Sequence, residues 1–228
     1  MFGQQVIYYL LCNSKYFKME NEKYLNDITE IKNLMNKSSR FISLSGLSGI
    51  LAGIYALVGG ILSVNILKTI KIHKPSMNRD SYTPTVEQIE NKLILIAVGV
   101  ILLSIITGIV LSYFKAKKIN EKLWDSSSKR LLINFSIPLV TGGILILILL
   151  EKNLYGMIAP STLLFYGLAC VNASKYTLGD VRYLGITLII VGLLSAKYIG
   201  FGVYFWMIGF GICHIIYGSL MFYKYDRK

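Results

Sequence analysis

Residues 41–64 read FISLSGLSGILAGIYALVGGILSV, a run of 24 residues without a charged side chain. A helix needs ~20 residues to cross ~30 Å of hydrocarbon, so this stretch is long enough to span a membrane. Five further apolar segments follow, and none of the six contains an acidic residue. These five are Leu93–Phe114, Leu131–Leu150, Leu154–Val171, Val181–Ile199 and Gly200–Phe222. The pattern predicts a polytopic integral membrane protein with six spans.

The composition agrees with a membrane protein. Hydrophobic residues make up 54% of the chain and charged residues 16%, below the ~25% that is typical of soluble domains. Only helices and closed barrels satisfy every backbone polar group in lipid. Barrel strands are about 10 residues long and alternate in polarity, whereas these segments are longer and apolar on all sides. We therefore expect an all-α protein, with a six-transmembrane-helix bundle over residues 41–228.

The distribution of basic residues predicts the orientation. If the N-terminus is cytoplasmic and all six segments span, 17 of the 24 lysines and arginines lie inside. The positive-inside rule then favours a cytoplasmic N-terminus and a cytoplasmic C-terminus in a bacterial inner membrane. The partners expected of these residues are membrane lipids, with anionic lipid at the cytoplasmic face. No folded basic module is visible, so nucleic-acid binding is not expected.

Residues 1–40 differ from the rest of the chain. Within them, Tyr24, Ile28, Ile31 and Met35 form one apolar stripe at helical spacing. The spacing predicts an N-terminal amphipathic helix on the cytoplasmic side, either lying in the membrane interface or pairing with a partner helix. Residues 1–18 precede a second methionine, Met19, and we expect them to be an upstream extension or a disordered tail.

Small residues recur at helix-packing spacing in the first span, at Ser45, Gly49 and Gly53. Such faces let helices approach closely in lipid, where no hydrophobic force drives helices together. The face predicts packing within the bundle, and a homo-oligomer formed through the first span is the alternative.

Polar residues inside spans are costly in lipid and are the candidates for function. Asn134 and Pro138 lie in the third span, where the proline removes a helical hydrogen bond from the Asn134 carbonyl. His214 is the only histidine inside a span, and we expect an uncharged ring that faces the bundle interior. Together these three residues are candidates for a polar cavity.

No motif for catalysis or metal binding is present. The three cysteines have no metal-ligand spacing, and carboxylate pairs, HExxH, GxSxG and phosphate-binding loops do not occur. We therefore expect a protein that is not an enzyme and that holds no cofactor or metal.

Two stretches resemble uncharacterised multi-pass membrane proteins of Bacteroidetes. They are SSRFISLSGLSG at residues 38–49 and the C-terminal pattern with Trp206, Gly209, Gly211, His214 and Gly218. In outline, the six spans and Gly-spaced hairpins are also similar to the small acid-resistance membrane protein family. The long connector at residues 65–92 and the N-terminal helix depart from that pattern, so this second resemblance concerns architecture.

These observations predict a structural, interaction or stress-related membrane protein. A small transporter or channel with a central cavity near Asn134, Pro138 and His214 is the first alternative. A haem- or quinone-binding carrier that uses His214 is the second.

Overall fold

The computed structural model describes residues 45–72, 86–119 and 124–227. Regular structure in these ranges is helical, and no strand occurs within them. We number the helices α1 to α6 in chain order, and a 3₁₀ turn at Tyr155–Met157 leads into α4. Their bounds are α1 Gly46–Ile72, α2 Val86–Lys118, α3 Ser126–Glu151, α4 Ile158–Ala173, α5 Val181–Lys197 and α6 Gly202–Asp226.

The all-α class is confirmed for the described residues. Five helices are long and apolar enough to cross a membrane: α1, α2, α3, α4 with its 3₁₀ turn, and α6. The sixth expected span, Val181–Ile199, corresponds to α5, which has 17 residues. That length lies at the lower limit of about 17 residues for a spanning helix.

Several helices extend beyond the apolar segments that predict them. α1 continues to Ile72 rather than ending at Val64, and α2 begins at Val86 rather than at Leu93. Backbone hydrogen bonding continues into the polar interface, whereas apolar composition marks only the depth of the hydrocarbon. The expected amphipathic helix before residue 41 lies outside the described residues, as does the part of the first connector at residues 73–85.

The helices are connected as a chain of neighbours. α2 packs mainly on α1, and α1 packs on α6. α6 also contacts α4 and α5, which pack extensively on each other, and α3 packs on the side of α4. The centre of the bundle is therefore α1, α4, α5 and α6, while α2 and α3 lie at its edges.

The seam between α1 and α6 depends on glycine. A Cβ atom added at Gly53 would lie 2.7 Å from the carbonyl oxygen of Gly211, and one at Gly218 would lie 2.5 Å from the amide nitrogen of Ile50. A Cβ atom added at Gly49 would lie 3.2 Å from the Cα atom of Gly218. Backbones this close leave no room for a larger side chain, so the contact between α1 and α6 requires glycine at these positions.

A second glycine contact joins α4 to α5. A Cβ atom at Gly167 would lie 2.8 Å from the Gly185 carbonyl, and one at Gly185 would lie 2.7 Å from the Gly167 carbonyl. Next to this crossing, Leu163 and Leu188 are fully buried and form the apolar core together with Leu184. The close backbone approach brings these leucines into contact.

Pro138 on α3 creates a local defect that α4 repairs. Proline has no N–H, so the carbonyl of Asn134, four residues earlier, loses its helical donor. The side-chain amide of Asn172 on α4 donates to that carbonyl at 2.8 Å. An unmet backbone carbonyl is costly in lipid, so this bond fixes α4 against α3 at the defect.

Candidate functional site

His214 lies within α6, and its side chain is buried. The Nδ1 atom is 3.0 Å from the carbonyl oxygen of Gly209, and the Nε2 atom is 3.2 Å from the hydroxyl of Tyr166 on α4. Because a carbonyl can only accept, Nδ1 carries the hydrogen, and Nε2 of the neutral ring accepts from the Tyr166 hydroxyl. Both ring nitrogens are therefore used within the chain.

The register of α6 changes directly before His214. The stretch Met207–Cys213 is π-helical, and α-helical geometry resumes from His214 to Met221. Such π segments are rare and often occur at functional sites. Here the segment contains Gly209, the residue whose carbonyl the ring reaches five positions back along the chain.

Aromatic rings surround this contact. The ring of Tyr166 meets Phe135 on α3 edge to face, with centroids 5.7 Å apart, and meets Phe210 on α6 at 5.1 Å. Edge-to-face pairs of this kind add to the energy of burial. Tyr166 therefore joins three helices and holds the His214 ring in one orientation.

The polar groups continue along the bundle from Tyr166. Its hydroxyl interacts electrostatically with Cys170, one turn further along α4. The hydroxyl of Tyr217 on α6 interacts electrostatically with Cys170 and with Asp180. That hydroxyl is buried and has no hydrogen-bond partner among the described residues. We call the set His214, Tyr166, Cys170 and Tyr217 the polar column.

A groove lies between α3 and α4, on the face of α4 that carries Phe165 rather than Tyr166. Its volume is about 380 Å³, near the lower end of the ~300–1,000 Å³ of ligand pockets. The lining is mostly apolar, with polar side chains from Thr141 on α3, from Asn172 on α4 and from Lys175 after it. It consists of Pro138, Thr141, Phe165, Leu168, Val171, Asn172 and Lys175.

A buried ion pair lies at one end of the bundle. The Asp226 carboxylate, at the end of α6, accepts from Lys115 Nζ at 2.5 Å, from the Gly46 amide at 2.8 Å and from the Ser45 hydroxyl at 3.2 Å. The exposed fractions of the Lys115 and Asp226 side chains are 13% and 9%. A carboxylate at the N-terminus of α1 also meets the positive end of its dipole. Asp226 thus links the ends of α1, α2 and α6.

Asp180, before α5, forms a second polar contact at the same end. Its carboxylate accepts from Lys224 Nζ and from the Tyr225 hydroxyl, both at 2.9 Å. The hydrogen bond from Lys224 lowers the pKa of Asp180, and the one from Tyr225 adds to this effect. Asp180 is the N-cap residue of α5, but its side chain makes no capping hydrogen bond.

The structure distributes the predicted site residues over three places. Ser45, Gly49 and Gly53 lie on the face of α1 that meets α6. Pro138 lines the groove, and the Asn134 carbonyl is held beside it by Asn172. His214 is absent from the groove lining and belongs to the polar column, on another face of α4. The groove therefore does not bring the three candidate cavity residues together.

Sequence reasoning misses Asp226 and Tyr166. The available signal for Asp226 is that it is the one acidic residue among the basic residues that end the chain. Tyr166 gives no signal, because tyrosine is common in this sequence and its contact with His214 joins residues 48 positions apart. Among the described residues, no group of three or more histidine, cysteine, aspartate or glutamate side chains could hold a metal ion.

Comparisons of the chain with protein-family models, with curated proteins and with solved structures find no match.

Proposed function

We propose that this chain is a non-catalytic, multi-pass protein of a bacterial inner membrane with a structural, interaction or stress-related role. The observation that carries the proposal is the self-contained contact of His214. One ring nitrogen is hydrogen-bonded to the Gly209 carbonyl and the other to the Tyr166 hydroxyl. Both polar atoms of the ring are therefore used within the protein, and the second bond joins α6 to α4. A structural role needs nothing further from this residue.

The same contact argues against the carrier alternative. An iron or quinone at Nε2 would have to displace the hydroxyl of Tyr166, whose ring contacts both Phe135 and Phe210. The transport alternative needs one polar cavity that includes Asn134, Pro138 and His214. The described groove is open at its side, largely apolar and separate from His214, so it supports that alternative poorly.

We also propose that α5 is the sixth span. α6 begins at Gly202, shortly after α5 ends at Lys197, and the end of α6 returns to Asp180 at the start of α5. The tight turn between them includes Gly200, whose φ of 101° suits glycine. Because α5 connects the same two ends as the longer α6, it crosses the same depth.

The charged residues support a cytoplasmic position for the end that carries Asp226. Alternation of the helices places nine basic residues of the described ranges at this end and five at the other. The nine are Lys115, Lys117, Lys118, Lys129, Arg130, Lys175, Arg182, Lys224 and Arg227. The five are Lys68, Lys71, Lys92, Lys152 and Lys197. The positive-inside rule then places both chain termini in the cytoplasm.

Reporter fusions test this topology. A reporter after Lys228 is expected to behave as cytoplasmic, and one inserted in residues 76–83 as periplasmic. A C-terminal reporter that is active only in the periplasm would contradict the model.

Complementation tests the functional proposal. A deletion strain under acid and osmotic stress would receive the wild-type gene, His214→Gln or Gly53→Leu. We expect His214→Gln to restore growth, because glutamine can keep a hydrogen bond to Tyr166, and Gly53→Leu to fail because the α1–α6 seam cannot close. Loss of complementation by a stable, normally abundant His214→Gln protein would favour a chemical role, and so would a Soret band in the purified protein.

A further inference from the structure

The groove between α3 and α4 runs along successive turns of α4. Phe165 lines one end and packs against Gly142 on α3, where an added Cβ atom would lie 2.4 Å from the Phe165 Cβ atom. Lys175 lines the other end, ten residues later. At 1.5 Å per residue this distance is about 15 Å, roughly half of a ~30 Å hydrocarbon core. The groove therefore has the depth of one leaflet.

Its chemistry also changes along that depth. Leu168 and Val171 make the middle apolar, and the side-chain amide of Asn172 is already committed to the Asn134 carbonyl. The exposed Lys175 provides a cation at the end, where α4 has just finished. Arg130, two turns before Pro138 on α3, adds a second exposed cation near this end. Neither cation has an ion pair with an acidic residue in the described ranges.

We propose that this groove is a binding site for one anionic phospholipid, with an acyl chain along Leu168 and Val171 and the phosphate at Lys175. Three observations fit this occupant: the apolar lining, the one-leaflet depth and a cation at the interfacial end that has no ion pair within the described ranges. A transmembrane helix of another protein is a poorer fit, because the groove volume of about 380 Å³ suits a chain rather than a helix ~10 Å in diameter. Pro138 has a second role here, since the ring that breaks the helical hydrogen bond also lines the groove.

Native mass spectrometry of the purified full chain tests the site. The probes are phosphatidylglycerol and phosphatidylcholine with the same acyl chains. Wild-type protein is expected to bind phosphatidylglycerol more tightly. Lys175→Gln should weaken that binding about fivefold, as expected for one interfacial cation, and leave phosphatidylcholine binding unchanged. The matched control is Lys152→Gln, an exposed lysine at the opposite end of α3.

A second pair of variants tests the acyl-chain part of the groove. Thr141→Trp should fill the groove and weaken the binding of both lipids, whereas Leu147→Trp, on an exposed part of α3, should weaken neither. Circular dichroism melting confirms that each variant is folded. Equal affinity of the wild type for the two lipids would overturn the proposal, as would unchanged phosphatidylglycerol binding by Lys175→Gln or by Thr141→Trp.

Discussion

α2 and α4 show opposite relations between hydropathy and burial. The most apolar window of α2 has the highest mean hydropathy among the five candidate spans, and 0% of it is buried. The corresponding window of α4 has the lowest, and 39% of it is buried. Ordered from most to least apolar, α2, α3, α1, α6 and α4 become steadily more buried.

The difference follows from the solvent. In lipid, an isoleucine gains little by leaving the bilayer for the protein interior, so apolar side chains can remain outside. Glycine, serine and hydrogen-bonding groups gain more, because they allow close backbones or need partners. α4 supplies Gly167, Tyr166 and Asn172 to neighbouring helices, whereas the outer side of α2 is almost entirely aliphatic.

The largest effect is expected at the α1–α6 seam. Gly53→Leu would direct a side chain at the carbonyl of Gly211 and should destabilise the protein by about 3 kcal/mol or prevent folding. Gly143→Leu on α3 is the matched control, because nothing lies within 4 Å of an added Cβ atom there. Thermal unfolding in detergent measures both. Equal stability of the two variants would show that the close contact between α1 and α6 is not required for stability.

The ion pair between α2 and α6 ranks next. Lys115→Met leaves the Asp226 carboxylate without its cation and should cost about 2–3 kcal/mol, since both side chains are mostly buried. Adding Asp226→Asn should recover part of that loss, because the remaining group is then uncharged. Unfolding of the two single variants and the double variant gives the coupling energy. Strict additivity would mean that α2 is not held by this contact.

The repaired proline defect should have a smaller effect. Asn172→Leu removes the donor to the Asn134 carbonyl and should cost about 1 kcal/mol, close to measured values for side-chain hydrogen bonds in membranes. Pro138→Ala in the same background restores the helical donor and should recover the loss. If Pro138→Ala does not restore the stability lost in Asn172→Leu, the hydrogen bond from Asn172 does not compensate for the proline.

The smallest effect concerns Asp180 and pH. Its folded-state pKa lies below the ordinary value of 3.8, so its contribution to stability is present above about pH 4 and is lost as pH falls through the lower folded value. The difference in unfolding midpoint between wild type and Asp180→Asn should be constant from pH 5 to 8, at most about 2 °C, and should shrink as the pH falls below about 4. A midpoint difference that grows as the pH falls would contradict a lowered folded-state pKa for Asp180.

Much of the helical architecture can be predicted from the sequence, because apolar length alone determines where helices can cross lipid. The small-residue pattern in span one also places Ser45, Gly49 and Gly53 on a face that meets another helix. The partner helix cannot be predicted, since span one could pack against any helix that also has a face of small residues. The Asn134 carbonyl freed by Pro138 is foreseeable from local geometry, but its donor, Asn172, lies 38 residues away.

The contacts of His214 show the same limit. A buried imidazole in an apolar helix predicts a polar partner, but tyrosine, serine or a backbone carbonyl would each serve. The π-helical stretch that contains Gly209 depends on the packing of α6 against its neighbours. For this reason, hydropathy and spacing suggest a cavity at Asn134, Pro138 and His214, whereas the fold places His214 away from the groove.

Photo-crosslinking from α2 in membranes tests most directly whether the most apolar helix faces lipid. A photoreactive phenylalanine analogue would replace Ile106, which is 58% exposed, or Ala116, which is 1% exposed. We expect the probe at position 106 to crosslink to phospholipid and to no other helix of its own chain, and the probe at position 116 to give an internal product. Internal crosslinks from position 106 to α3 or α4 would contradict this expectation, because they would place the most apolar helix inside the bundle.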